Sequence, residues 1–320
     1  MPLGTVVQYS REYCWVALDE DGREVLATPR GRVELAEAER ARIAEEDAEY
    51  ERIVARQVAV GDRVAVSEPQ PDHFVVDEIL ERETWLLRKG SQRYQRKPQC
   101  VVANADRLAV VMAPNPVIRP NVIDRYFLAA IQGGLQPLVV VNKIDLDPTL
   151  TDDLTLRNYR ELGYRVFFTQ ATSGDGLTEL GEHIAGSFTA FCGHSGVGKS
   201  TILSALAGVT IRTAEVKPKS LKGRQTTTSA RLYKLPEGGC VVDTPGIREF
   251  GLIHMTWLDV HDYFAGIADY SQRCAFRDCT HTVEPDCAVR AAVADGKLSG
   301  ERLRSYIKLR EEAERFRRWE

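Results

Sequence analysis

No apolar stretch in this 320-residue chain is long enough to cross a membrane. Apolar runs such as Leu108 to Ala113 and Leu138 to Val141 are strand-sized and far short of the ~18 residues of a spanning helix. The N-terminus has no basic segment followed by an apolar stretch and a small-residue cleavage site, so no secretory leader is expected and the cytoplasm is the expected compartment. Low-complexity tracts and internal repeats are also missing, which sets aside disordered linkers and solenoids. A net charge of −4 carries no global sign of nucleic-acid binding.

What is present is the composition of a folded protein, 43% hydrophobic and 28% charged, with room for two or three domains that each bury a core. Charge is segregated. Glu34 to Arg52 is acidic, while Arg88 to Lys97, Arg212 to Lys234 and Arg302 to Arg318 are basic, an arrangement that can steer a polyanion to one side. Cys14, Cys100, Cys192 and Cys240 lie among apolar residues and read as buried free thiols. Cys274, Cys279 and Cys287 cluster around His281, which in a large intracellular chain suggests metal more than disulfides.

Residues 1 to about 88 carry short β-branched or aromatic runs, at Val6-Val7, Tyr13 to Leu18, Arg63 to Val66 and Phe74 to Val76, parted by turn chemistry. They predict a small OB-like β-barrel over 1–89, with Leu35 to Val54 inserted as a mostly exposed helix. Gly90 to Pro98 reads as a linker. From 98 to 253 buried strand runs alternate with helical stretches, the pattern of a parallel sheet covered on both faces. From 254 to 320 the chain reads as helical around the Cys/His cluster. Its terminal helix, Leu298 to Trp319, presents a partial apolar stripe of Leu303, Tyr306, Ile307, Ala313 and Phe316.

Gly193-His194-Ser195-Gly196-Val197-Gly198-Lys199-Ser200 fits G-x-x-x-x-G-K-[ST], follows an apolar strand and opens a helix at Thr201. Its glycines let backbone N–H groups curl around a phosphate, Lys199 reaches the β- and γ-phosphates, and the Ser200 hydroxyl suits Mg²⁺. Asp243-Thr-Pro-Gly246 follows the strand at Cys240, where a carboxylate reaches Mg²⁺ and the Gly246 N–H can meet a γ-phosphate. Asn142-Lys143-Ile144-Asp145 ends the strand Leu138 to Val141. Asp145 can accept from the N1–H and exocyclic amine of guanine, with Lys143 along the base, Asn142 bracing the loop and Ala171 adding a backbone contact. Three such motifs at the carboxyl ends of apolar strands predict a GTP/GDP site, in a circularly permuted order because Asn142 precedes Lys199. Hydrolysis needs a group to position water. Ile247 cannot do this, so Gln225 in Gly223-Arg-Gln-Thr-Thr-Thr is the candidate, with Thr226 or Thr227 completing the Mg²⁺ shell.

Cys274, Cys279, His281 and Cys287 offer three thiolates and one imidazole, a closed tetrahedral set for one structural Zn²⁺.

With these motifs in this order, the chain resembles the ribosome small-subunit-dependent GTPases of the RsgA (YjeQ) family over nearly its whole length. The resemblance implies an OB-like barrel, a circularly permuted P-loop GTPase domain and a zinc-binding helical domain. It also implies late maturation of the small ribosomal subunit as the role, contacts to its rRNA, and turnover stimulated by the subunit. A monomer is expected. The family's switch usually carries His where this chain has Gln225. Two other readings compete: a GTP-gated rRNA-binding checkpoint factor in which hydrolysis is incidental, and a P-loop ATPase or kinase.

The base-reading assignment is directly testable. Asp145→Asn is expected to weaken GTP binding about 10- to 100-fold, the value of hydrogen bonds to a charged acceptor, and to favour xanthine nucleotides. Equilibrium titration with both nucleotides checks it; unchanged guanine preference would refute the assignment.

Overall fold

The computed structural model describes residues 1–10, 13–35, 57–88, 98–210, 230–244, 252–253 and 255–317. Five N-terminal strands close into a barrel: β1 Leu3–Tyr9, β2 Cys14–Leu18, β3 Glu24–Leu35, β4 Arg63–Gln70 and β5 His73–Ile79, in the order β1-β2-β3-β5-β4. Period-two alternation builds its interior. Cys14, Val16 and Leu18, Val64 and Val66, and Phe74 and Val76 all point into one buried cluster. β3 runs parallel to β5, pairing Ala27 with Phe74, while the other pairs are antiparallel, as expected of an OB-type barrel.

The long strand β3 is absent from the sequence reading, because Pro29, Gly31 and interspersed charge mask it and a register shift breaks its ladder after Pro29. Leu35, expected to open a helix, instead ends β3 opposite Ile79. The rest of that expected helix, and the linker from Gly90 to Lys97, lie outside the described residues.

The barrel is joined to the next unit by a buried seam. A hairpin of β6 Trp85–Arg88 and β7 Gln99–Ala103 runs beside it, and Val60 bridges Val102. Gly61 sits so close that an added Cβ would stand 2.1 Å from the Ala103 carbonyl oxygen. Behind it Arg82 grips Asp62 through two hydrogen bonds of 2.7 and 2.8 Å, both residues almost fully buried.

The central sheet has six strands in the order β10-β9-β8-β11-β13-β12, comprising β8 Arg107–Met112, β9 Gln136–Asn142, β10 Arg165–Thr169, β11 Phe188–Cys192, β12 Leu232–Lys234 and β13 Cys240–Asp243. The first five are parallel and β12 is an antiparallel edge, which the expectation of a parallel sheet did not include. Residues of β8 alternate between faces. Leu108, Val110 and Met112 join α1 Pro120–Gln132 and α2 Leu154–Glu161, while Ala109 and Val111 join α3 Leu177–Ile184 and α4 Lys199–Ala207. Helices thus cover both faces, so the strands need near-continuous hydrophobic sequence.

Helix α1 serves two cores. Its stripe Ile123, Tyr126, Phe127 and Ala130 lies on the sheet, while Leu128 joins the core of the C-terminal module. That module holds α5 Trp257–Tyr263, α6 Ile267–Ser271, α7 Ala288–Ala294 and α8 Gly300–Arg317. Tyr306 and Ala313 of the expected stripe are buried in its core, Leu303 and Ile307 flank it, and Leu309, which the stripe did not include, is buried with them. Arg302 of α8 is only 2% exposed. Its Nε donates to Asp124 Oδ1 at 3.2 Å, Nη1 donates to the Ala265 carbonyl at 3.1 Å, and the guanidinium lies 4.7 Å from the Tyr159 ring centroid and 4.8 Å from that of Phe264. The Tyr159 hydroxyl donates to the same carboxylate at 2.8 Å. The basic stretch at 302–318 is therefore not one open surface.

Removing one member of a buried ion pair strands its partner, at a cost of about 3–5 kcal/mol, whereas replacing both with apolar groups costs far less. Arg302→Met is expected to lower stability by about that amount, and Asp124→Leu/Arg302→Met to recover at least half of it. Denaturant unfolding followed by helical signal checks this; a change under ~1 kcal/mol in the single variant contradicts a stabilising Asp124–Arg302 pair.

Candidate functional site

Because β8, β9, β10, β11 and β13 are parallel, their carboxyl ends share one edge of the sheet, and the three motifs converge there. Asn142 is the tie. Its Nδ2 donates to the Val197 carbonyl at 2.9 Å, while its Oδ1 accepts from the Thr169 hydroxyl at 3.0 Å and the Ala171 N–H at 3.1 Å. One buried amide thereby joins the Asn-Lys-x-Asp segment to the glycine-rich loop and to the turn after β10. Lys143, in the left-handed conformation, donates from Nζ to the Gly196 carbonyl at 2.7 Å. Ile144 and Asp145 then form a 3₁₀ turn, with the Asp145 carboxylate exposed at the mouth. Contact between the segments is so close that a Cβ on Gly198 would lie 2.3 Å from Asn142 Nδ2. Gly198 caps α4 with φ +95°, which a side chain would also resist.

The loop from Gly193 to Ser200 turns into α4, which begins at Lys199 and runs on through Thr201. Val197 is buried beneath it, and His194, Ser195 and Gly196 are exposed at its rim. Lys199 Nζ donates to the Gly193 carbonyl at 2.8 Å and the His194 carbonyl at 3.1 Å, placing a cation against the loop. The Ser200 hydroxyl donates to Asp243 Oδ2 at 3.1 Å. Burial pushes the Asp243 carboxyl above its ordinary range, opposed by the Lys199 charge and the Ser200 hydrogen bond. Asp243 Oδ1 is buried with no hydrogen-bond partner among the described residues. An orphaned carboxylate oxygen beside a hydroxyl is a donor set that fits a hard cation such as Mg²⁺.

Gln225, Thr226, Thr227 and Gly246 lie outside the described residues. Two positioning residues escaped the sequence reading. Thr169 orients Asn142, and the buried Thr244 locks the start of the Asp243 turn by donating its hydroxyl to the Phe191 carbonyl at 2.7 Å. Their signal was slight: a lone hydroxyl at the end of an apolar strand.

In the C-terminal module, the ligand atoms of Cys274, Cys279, His281 and Cys287 all lie within 4.8 Å of one another. Cys274 and Cys287 Sγ are 3.9 Å apart, and His281 Nδ1 stands 3.7 and 3.5 Å from them. A tetrahedron with Zn–S of about 2.3 Å and Zn–N of about 2.0–2.1 Å has edges of roughly 3.6–3.8 Å, so the set fits that ion. Burial and the two neighbouring thiols push the Cys279 thiol up to about 12, and burial holds His281 down to about 4. Crowded thiols beside a neutral imidazole are what a cation replaces protons on. Glu284 holds the intervening loop, accepting from the N–H of Thr280 at 2.7 Å, of Thr282 at 3.0 Å and of Val283 at 3.1 Å, and from the Thr280 hydroxyl. It too was missed from the sequence.

The model of the RsgA GTPase family matches residues 79–253, more than half of the chain. The chain belongs to the RsgA GTPase family. A small ribosomal subunit biogenesis GTPase RsgA of Chlorobaculum tepidum is 42% identical over 261 residues, covering 79% of this chain and 84% of that protein. The protein of that name from Pseudomonas putida is 40% identical over 258 residues, covering 78% and 73%. The crystal structure of YjeQ from Thermotoga maritima superposes with a TM-score of 0.68 at 28% identity, covering 98% of both chains. The fold is also that of YloQ, described as a circularly permuted GTPase, with a TM-score of 0.67 at 24% identity over 99% and 96% of the two chains.

If the Cys₃His cluster holds a structural ion, one zinc per chain is expected by elemental analysis, and stripping it with a chelator should unfold the C-terminal module. Metal affinities of such sites, about 10–16 kcal/mol, are folding free energy. An unaltered melting profile after verified metal removal contradicts a structural role.

Proposed function

We propose that the chain hydrolyses GTP in the maturation of the small ribosomal subunit and that one nucleotide occupies the edge formed by Asn142 and the loop Gly193–Ser200. The observation that carries this reading is the pair of hydrogen bonds from Asn142 to Val197 and from Lys143 to Gly196, which join a base-reading motif to a phosphate-binding one. Asp145 selects guanine over adenine, Lys143 lies along the base, Ile144 shapes the turn and the Ala171 N–H assists. Backbone N–H groups of Gly193, His194, Ser195, Gly196, Val197 and Gly198, with Lys199, Ser200 and Thr201, hold the phosphates. Ser200, Asp243 and one of Thr226 and Thr227 hold Mg²⁺, and Gly246 meets the γ-phosphate. When bound, Mg²⁺ neutralises the charge that develops on the phosphate oxygens. Gln225 orients the attacking water, a role for which its place between the phosphate loop and Asp243 is the support.

The organisation we favour is a barrel over 1–89, a GTPase domain over 98–253 and a module over 254–320 built on one structural Zn²⁺. The small-subunit role comes from the names of the relatives, and a protein working on that particle belongs in the cytoplasm. Contacts to rRNA suit the exposed Arg304, Lys308 and Arg315 of α8 and the basic stretch at 88–97, whose strength should fall with salt. We take the chain to act as a monomer.

Single-turnover GTP hydrolysis with and without small ribosomal subunits tests the proposal. The rate is expected to be slow alone and to rise at least about tenfold with subunits, within the range by which partners stimulate GTPases. An equal rate in both conditions would favour a checkpoint factor whose hydrolysis is incidental.

A further inference from the structure

Two lysine contacts give the glycine-rich loop a direction. Lys143, to which the proposed function gives the base, donates from Nζ to the Gly196 carbonyl at 2.7 Å. Lys199, to which it gives the phosphates, donates from Nζ to the Gly193 and His194 carbonyls at 2.8 and 3.1 Å. The two cations are thus bound to opposite halves of one short loop. Strand order runs the same way. From β11, which leads into the loop, β8 and then β9 with Asn142 lie on one side, and β13 with Asp243 lies on the other. The Ser200 hydroxyl reaches Asp243 at 3.1 Å. A nucleotide with its base at Asp145 and its Mg²⁺ at Ser200 and Asp243 therefore extends from Gly196 towards Gly193 and His194. Its last phosphate comes to the His194 end.

The proposed function uses only the backbone of His194. The side chain is exposed, and among the described residues no hydrogen bond or ion pair engages its imidazole. The other described histidines stand elsewhere: His73 in the barrel, His183 on α3, His261 and His281 in the C-terminal module. An imidazole ring carries at least one N–H, and its charge state changes near neutral pH. A hydrogen bond from such a donor to a phosphate oxygen is charge-assisted, and so stronger than one between neutral groups. The loop that carries His194 is also tied from β9, through Asn142 to Val197 and through Lys143 to Gly196. A donor on a loop held in this way loses little freedom when it meets its acceptor.

We infer that the His194 side chain reads the γ-phosphate: its ring N–H donates to a terminal oxygen of GTP, a bond that GDP, one phosphate shorter, cannot receive. His194 is thereby a specificity-determining residue for the triphosphate over the diphosphate. The inference rests on the proposed function, because it concerns the same nucleotide, and adds to it a side chain that tells the two nucleotides apart.

The test is equilibrium titration, with Mg²⁺, of a non-hydrolysable GTP analogue and of GDP into the unaltered full-length chain, His194→Ala and His194→Gln. A hydrogen bond to a charged acceptor is worth about 10- to 100-fold in affinity. His194→Ala is expected to bind the analogue at least about tenfold more weakly while holding GDP within about twofold of the parent. His194→Gln, which restores an N–H donor, is expected to recover most of that loss. A merely structural role for His194 would move both affinities together. If the ratio of analogue to GDP affinity in His194→Ala stays within about twofold of the parent's, the inference is overturned, whether both affinities fall or neither does. A glutamine variant as weak for the analogue as the alanine variant overturns it as well. Failure of the unaltered chain to bind either nucleotide removes the proposed function, and the inference with it.

Discussion

A single buried carboxamide holds the candidate site together. Asn142 ends β9, accepts from the residue that ends β10 and from the turn beyond it, and donates into the glycine-rich loop after β11. Three segments far apart in sequence are thus fixed relative to one another by hydrogen bonds that a low-dielectric surrounding strengthens and that would be costly to leave unmade. The glycine at 198 exists for the same reason, since any larger residue would collide with that amide.

Circular permutation is physically unproblematic here because the site belongs to an edge and not to a chain order. Parallel strands deliver all of their carboxyl ends to one side, so loops can be rerouted elsewhere without disturbing the constellation. Rerouting has a consequence for the rest of the molecule. Helix α1 follows the first strand of the sheet and packs both on that sheet and on the C-terminal module, where Asp124, Tyr159 and Arg302 form a closed, buried contact. The C-terminal module therefore shares a buried contact with the central unit at α1, while the barrel meets the sheet at the seam around Gly61 and at the hydrogen bonds from Arg231 to Gln8 and Glu24.

Much of this was legible in the sequence. The candidate phosphate-binding and base-reading segments stood out because their chemistry permits few residue types, and the apolar runs before them marked the strands. The Cys/His spacing likewise predicted a compact ligand set, and the four side chains do converge. Periodicity recovered α3 and β11 to the residue, because each carries a clean pattern bounded by turn residues. It failed on β3, where charge and a proline interrupt the alternation, and on β12, too short to show any. Within the basic run of α8, Arg302 lies inside and Arg310 stacks 5.2 Å from the Trp257 ring centroid, which charge counting cannot foresee. Thr169, Thr244 and Glu284 stayed hidden because each acts by orienting a neighbour, and orientation leaves no mark on composition.

The central claim is that the segment ending in Asp145 and the loop carrying Lys199 serve one ligand. Calorimetric titration of GDP and of ADP into the unaltered protein with Mg²⁺ tests it most directly. Saturable binding of GDP at one site per chain, with ADP weaker by at least about 100-fold, is the predicted result. Equal affinities would mean that the phosphates are held without the base being read, and would contradict the account.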